Sequence, residues 1–423
     1  MSTARIRPRT TAMLLLAVAA ASGCDGASAM SGGGQTPGGT SAPAPSTARI
    51  VITPSGGRLH AHTEGGVVVR ATGGKLTHVF VRSGGTEISG HLRQQKTVWR
   101  TRGPLHTDTD YTVSASAVDA SGKPATRTVS FHTLKPRHVE ETTIFESHDA
   151  TYGVGMPVML SFSTPVENKR AVERALSLRT SKRVVGAWYW EGDSSVQFRP
   201  RGYWPANTVV RFRGDLDGVE VAPGVYGAHT LRQRFRIGRS VIVVASTATH
   251  KLQLYLDRKL STTWPISTGK PGDDTPNGTY LTIEKGNPVE MKGPGYDLMV
   301  PWSVRFTWSG DYLHDAYWSV GQQGFENVSH GCVNLSPANA ETYYNMAVPG
   351  NPVTVTGSPR AGVWGNGWTI WFLTWKELLG GSALHRAVRA GPHGSTFVDP
   401  GDLRPHRSHS PVRGSAPGNF AAA

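Results

Sequence analysis

The chain has 423 residues, a formal net charge of +14 and two cysteines. Hydrophobic residues make up 38% and charged residues 17%, enough apolar material for several packed cores, so wholesale disorder is excluded. Two cysteines exclude a disulfide scaffold, and no basic stripe interleaved with aromatics accompanies the positive charge, so no nucleic-acid partner is expected.

The first 24 residues carry Arg5, Arg7 and Arg9, an apolar run from Ala12 to Ala21, and small residues ending at Cys24. This is the layout of a secretory signal, with a run too short for a permanent bilayer span. The Ala-Ser-Gly-Cys ending resembles the lipobox of bacterial lipoproteins, which implies lipidation of Cys24 and anchoring to the outer face of a membrane. Residues 25–47 are rich in Gly, Ser, Pro and Ala and read as a flexible linker. With Cys24 acylated, Cys332 is a lone thiol in an oxidising compartment, a state that calls for burial or use.

Residues 48–134 alternate apolar and polar positions over at least five short segments broken by turn signals, the pattern of a small β-sandwich. The stretch from Asp110 to Leu134 resembles the closing hairpin of bacterial Ig-like domains, with Tyr111, Val113, Ala115 and Ala117 facing inward. Residues 135–239 form a second unit of the same kind. Neither unit gathers acids, bases or nucleophiles, so both read as spacers. Trp188, Tyr189, Trp190, Tyr203 and Trp204 offer the second unit an alternative role in carbohydrate binding. The expected fold class is therefore mainly β, with two tandem Ig-like sandwiches ahead of a further β-rich domain.

That third region, residues 240–357, begins with strands over Val241–Ala245, Lys251–Asp257 and Lys259–Thr268, the last two joined at Asp257-Arg258. Ser336 and Pro337 predict a helix start. In residues 358–390, Trp371, Trp375, Leu378 and Leu379 fall at i, i+4, i+7 and i+8, predicting a tryptophan-rich C-terminal helix packed on the preceding domain. Residues 391–423, with His406 and His409 among arginines, read as a disordered tail.

The segment from His314 to Asn334 holds the chemistry. Cys332 as a nucleophile requires a base, and His314 and His330 both stand close in sequence; spacing alone leaves the choice open. Gly331 removes a side chain where a substrate backbone would approach, and the Gly331 and Cys332 N–H groups suit a developing oxyanion. A zinc site would want more thiols at short spacing, so no metal is expected.

The run HDAYWSVGQQGFENVSHGCVNLSPANA resembles the signature of YkuD-type L,D-transpeptidases: a histidine, a gap, then Ser/Thr-His-Gly-Cys-x-Asn. Here these are His314, Ser329, His330, Gly331, Cys332 and Asn334. The whole layout of lipobox, Ig-like modules, this domain and a tryptophan-rich end is similar to actinobacterial members of that family. The resemblance implies Cys332 as nucleophile and His314 as base, with His330 and Gly331 completing the catalytic set. It also implies Ser329, Asn334 and Tyr296 at the substrate, Tyr296 on a mobile flap. Asp315 departs from the Ser or Gly often found after the base, and Tyr317 from a usual proline.

The implied reaction joins peptidoglycan stem peptides, donor and acceptor, into 3→3 cross-links through a Cys332 thioester with release of D-Ala. It needs no cofactor, and carbapenems are the implied covalent inhibitors. Hydrolysis of the same thioester (an L,D-carboxypeptidase) and a catalytically silent wall-binding stalk stand as alternatives.

Overall fold

The computed structural model describes residues 45–293 and 296–403. Cys24, its signal segment, most of the 25–47 linker, and His406 and His409 lie outside the described residues. No helix among the described residues is long and apolar enough to cross a membrane.

The first sandwich sets a sheet ordered Arg49–Thr53, Val68–Thr72, Val98–Thr101, Gly90–Arg93 against a second sheet ordered Thr86–Glu87, Gly74–Ser83, Asp110–Asp119, Pro124–His132. Strand alternation sends Tyr111, Val113, Ala115 and Ala117 inward onto Ile50, Ile52, Val69 and Trp99. The polar positions between them stay towards solvent.

The second sandwich contains a sheet of six strands, and the last two come from the far end of the chain. Ala387–Gly391 pairs antiparallel with the start of Val184–Glu191, placing Val184 opposite Ala390 and Gly186 opposite Val388. Gly394–Val398 then pairs with Ala387–Gly391. This corrects the expectation that disorder begins at 391: Gly394–Val398 is a strand and Pro400–Asp402 a 3₁₀ turn. The reason is local, since Ala387, Val388 and Ala390 are buried apolar residues that continue the sandwich core and cover a sheet edge.

Trp188, Trp190 and Trp204 lie in that core. Tyr203 packs on Trp371 at 4.4 Å between centroids, and Tyr189 is partly buried beside the same cluster. Of the five aromatics considered for wall or carbohydrate binding, Trp188, Trp190 and Trp204 are buried in packing, while Tyr189 and Tyr203 are partly buried.

The third region stacks a five-stranded sheet, ordered Lys259–Pro265, Lys251–Leu256, Val241–Ser246, Pro352–Thr356, Gly278–Leu281, with a four-stranded one. The latter runs Glu284–Gly286, Ser303–Arg305, Tyr312–Asp315, Val333–Leu335. Leu252, Ile266, Tyr280, Phe306, Leu313, Val333 and Tyr343 share the core between them. Asp257 and Arg258 both take positive φ (50° and 69°), the backbone of a tight two-residue hairpin. A separate hairpin, Val289–Gly293 with Tyr296–Val300, projects from the region. The helix Pro337–Met346 starts as expected, but Ser336 makes no side-chain capping bond, so Pro337 in the first turn does the starting.

The tryptophan stripe is shorter than its periodicity suggests. Thr374 and Glu377 form a capping box, so the helix is Trp375–Gly380 and Trp371 sits before it in a single 3₁₀ turn, Ile370–Phe372. Trp371 and Leu378 are buried with Ala187 of the second sandwich and Leu281 of the third region. The Arg199 guanidinium stacks over Trp371 at 4.3 Å and donates to the Leu373 carbonyl at 2.6 Å. Trp371 itself donates to the Gly155 carbonyl at 2.7 Å. This wedge fixes the third region against the second sandwich.

Candidate active site

Cys332 stands one residue before the strand Val333–Leu335, which runs parallel to Tyr312–Asp315 with His314 opposite Asn334. That register closes the 18-residue gap between histidine and cysteine. On its other side the motif is sewn to residues 267–270: Ser329 N–H donates to Thr268 O, Lys270 N–H to Ser329 O, and Asn334 N–H to Ser267 O, all at 2.8–2.9 Å.

Between these seams the loop is held by its own hydroxyls. Ser329 Oγ donates to the Cys332 carbonyl at 2.6 Å and accepts from the Gly331 N–H at 3.2 Å. Thr275 Oγ1 donates to the Gly331 carbonyl at 2.7 Å and accepts from Gly269 N–H at 2.9 Å. The Gly331 N–H, expected at an oxyanion, is thus engaged with Ser329. Ser329, expected at the substrate, lies on the cleft wall but is buried and uses its hydroxyl to shape the loop. Gly331 has φ +124°, and a Cβ there would lie 2.5 Å from Asp311 Oδ1, so only glycine fits.

His314 is buried, and its Nδ1 lies 2.8 Å from the Asp315 backbone carbonyl. A carbonyl only accepts, so Nδ1 carries the proton and Nε2 keeps its lone pair. The unusual Asp315 therefore serves the imidazole through its backbone, while its buried carboxyl is pushed above the ordinary range by desolvation. Asn334 is turned by a bond from its Nδ2 to Ser319 Oγ, 2.9 Å. Ser319 carries no motif signal and is visible only once the fold brings it under Asn334.

His330 is placed differently. It is exposed, its Nε2 lies 3.0 Å from Lys270 Nζ, and the Tyr296 ring from the projecting hairpin lies over it at 5.0 Å. An imidazole nitrogen facing an ammonium acts as acceptor there. Tyr296, His314, Trp318, His330, Cys332 and Asn334 all line one cleft of about 300 Å³. Of the two histidines, His314 is the one with a buried ring.

Burial dominates the electrostatics. It holds the His314 imidazole down at about 4, against weaker upward pulls from the Asp315 carbonyl and Asn334. It pushes the Cys332 thiol up to about 12, helped by the charge of Asp311 and opposed by the Tyr312 N–H. At rest the thiol and the imidazole that share the cleft are both neutral. Such a pair exchanges its proton only as an electrophile arrives, which suits acyl transfer from a bound substrate. Among the described residues, no group of three His, Cys, Asp or Glu side chains is arranged to hold a metal ion.

Comparison with known proteins agrees with this arrangement. Residues 240–355 match the profile of the L,D-transpeptidase catalytic domain, YkuD, and residues 59–220 that of a bacterial Ig domain. L,D-transpeptidase 5 of Mycobacterium tuberculosis (strain ATCC 25618 / H37Rv) is 35% identical over 317 residues, which is 72% of this chain and 70% of that one. L,D-transpeptidase 2 of M. tuberculosis (strain CDC 1551 / Oshkosh) is 30% identical over 350 residues, 79% and 85% of the two chains. Among solved structures, that of L,D-transpeptidase LdtMt1 in complex with imipenem is 35% identical, covering 52% of this chain and all of that one at a TM-score of 0.44. The chain belongs to the L,D-transpeptidase family, cysteine-dependent acyltransferases, and carries a bacterial Ig region ahead of its YkuD-type catalytic domain.

Proposed function

We infer that this chain forms 3→3 cross-links in peptidoglycan, with Cys332 as the acyl carrier and His314 as the proton carrier. The observation that carries the reading is the locked tautomer of His314, whose unprotonated Nε2 belongs to a ring sharing the cleft with the Cys332 thiol. His314 Nε2 takes the thiol proton as Sγ attacks the carbonyl between the third residue and the terminal D-Ala of a tetrapeptide stem. The C–N bond breaks, the proton passes to the departing amine, and D-Ala leaves. A thioester remains on Cys332. The side-chain amine of diaminopimelate on a second stem then attacks the thioester, His314 takes its surplus proton, and the thiol is restored. Sulfur suits both halves, being a strong nucleophile as thiolate and a good leaving group from a thioester.

Tyr296 on the hairpin and Trp318 beside His314 make the apolar walls that hold the donor. Ser329 and Asn334 support the floor. The setting is extracytoplasmic, with Cys24 as the lipid attachment and the two sandwiches as a stalk that carries the site into the wall. Carbapenems are the expected inhibitors, acylating Cys332 through their strained carbonyl.

Intact-mass spectrometry of residues 48–423 after incubation with a carbapenem tests the reading. One stoichiometric adduct is expected, absent in Cys332→Ala and slow to form in His314→Ala. A folded wild-type protein that takes up no adduct would remove Cys332 from its role.

A further inference from the structure

Asp311 has no part in the reaction above, yet it lies against the nucleophile's loop. It is 7% exposed, and its Oδ2 accepts from Thr307 Oγ1 at 2.6 Å and Ser309 Oγ at 3.2 Å. Its Oδ1 faces Gly331, near enough to exclude a Cβ there. No ion pair among the described residues includes it, and Arg360 acts on it only through space. Burial pushes the Asp311 carboxyl above the ordinary carboxylate range, while the Thr307 and Ser309 hydroxyls and the charge of Arg360 favour its ionised form; a buried acid without an ion pair against the nucleophile's loop asks for a reason. The residue before it supplies a second clue: Gly310 presents its carbonyl to Cys332 Sγ at 3.8 Å. Carbonyl and carboxylate both favour S–H over S⁻.

We propose that Asp311 is a positioning residue that keeps the resting Cys332 thiol as neutral S–H, parked on the Gly310 carbonyl, and so shields it from oxidants until substrate turns it towards His314. The inference rests on Cys332 being the nucleophile. Its use is plain for a lone thiol outside the cytoplasm, because the thiolate attacks peroxides and disulfides whereas the neutral thiol reacts with them hardly at all.

The other titratable groups around the pair are identifiable. Tyr280, Tyr296 and Tyr312 are all held above the ordinary phenol range by burial, so they stay uncharged at neutral pH. Lys270 is shared between His330 and Asp273. His314 is neutral at rest. Arg360 is the remaining cation acting on Asp311, where it favours the ionised carboxylate.

The test is the rate of Cys332 alkylation by iodoacetamide, followed over a pH series in the full chain. Asp311→Asn keeps the shape and an oxygen for the Thr307 and Ser309 hydroxyls. It is expected to move the pH midpoint down and speed alkylation at neutral pH several-fold to about tenfold, as loss of a like charge does. Inactivation by hydrogen peroxide should accelerate in parallel. An Asp311→Asn protein that loses stability but keeps the wild-type pH midpoint would reduce Asp311 to a structural role and overturn the proposal. Should Asp311→Asn not fold, Asp311→Ser decides by the same readout: a lowered pH midpoint supports the proposal, and an unchanged one overturns it. Carbapenem acylation of the wild type runs beside these, since its failure would strike the nucleophile reading and not the role of Asp311.

Discussion

Replacing Gly331 with alanine probes the most constrained point of the site. The backbone there has φ +124°, outside the range L residues adopt readily, and holding one there costs about 1–3 kcal/mol. The new Cβ would stand 2.5 Å from Asp311 Oδ1, too close for any real contact. Asp311 cannot yield without giving up the Thr307 and Ser309 hydroxyls, about 0.5–1.5 kcal/mol for each bond. Together the loss is about 2–6 kcal/mol from the catalytic domain. Calorimetric unfolding should show that domain's transition falling while the first sandwich is unaffected, and carbapenem acylation should collapse. Adding Asp311→Ser to Gly331→Ala separates the two costs, since the shorter side chain relieves the clash and leaves the backbone strain. A Gly331→Ala protein within about 0.5 kcal/mol of wild type, acylating at the normal rate, would refute the reasoning.

Four further outcomes follow from the geometry. His314→Gln should slow acylation about 10²–10⁴-fold, the usual worth of a positioned base, measured by time-resolved mass spectrometry. His314 also shapes stability: with its folded value held near 4 against 6.5, the unfolded chain binds more protons in between, so its contribution is present above 6.5 and lost as pH falls to about 4. Urea midpoints in that window should flatten in His314→Gln. Glu146 behaves in the reverse sense: buried and raised from 4.5 to about 8, it contributes below 4.5 and loses that contribution as pH rises through about 8, so Glu146→Gln should gain on the wild type at alkaline pH. Trp371→Ala removes the ring that Arg199 and Tyr203 pack on and should cost about 3–5 kcal/mol, read as earlier proteolysis between the second sandwich and the catalytic domain.

Patterns confined to a few neighbouring residues are legible in the amino-acid sequence alone. The inward row Tyr111, Val113, Ala115, Ala117 needs only strand alternation, and the Asp257-Arg258 hairpin needs only turn chemistry. The Ser329–Asn334 motif carries its own signature, and the cleft gathers its residues with His314 and Tyr296. Features that depend on distant partners are not legible in this way. Asp311 lies in an ordinary Ser-Gly-Asp turn and matters because Gly331 is folded against it. Thr275 and Ser319 are unremarkable until they brace Gly331 and Asn334. The strands Ala387–Gly391 and Gly394–Val398 are short, bordered by arginines and a histidine, and make sense only beside the waiting edge at Val184. Periodicity counted across Thr374 makes Trp371 look helical, whereas the capping box at Thr374 begins the helix afresh.

The return of the chain end to the second sandwich has a mechanical consequence. The catalytic domain leaves that sandwich after Thr230–Ile237 and comes back to it through Ala387–Gly391, so it is clamped at both ends to one body. In the acyl-enzyme proposed above, Cys332 is bonded to a wall polymer, and the proposed lipid attachment at Cys24 would hold the other end at the membrane. A pull between the two is then divided over two attachments to the same sandwich, the covalent connection after Ile237 and the strand pairing of Ala387–Gly391 with Val184–Glu191. A single linker would stretch and swing under that tension. The double attachment keeps the cleft oriented while the wall strains around it.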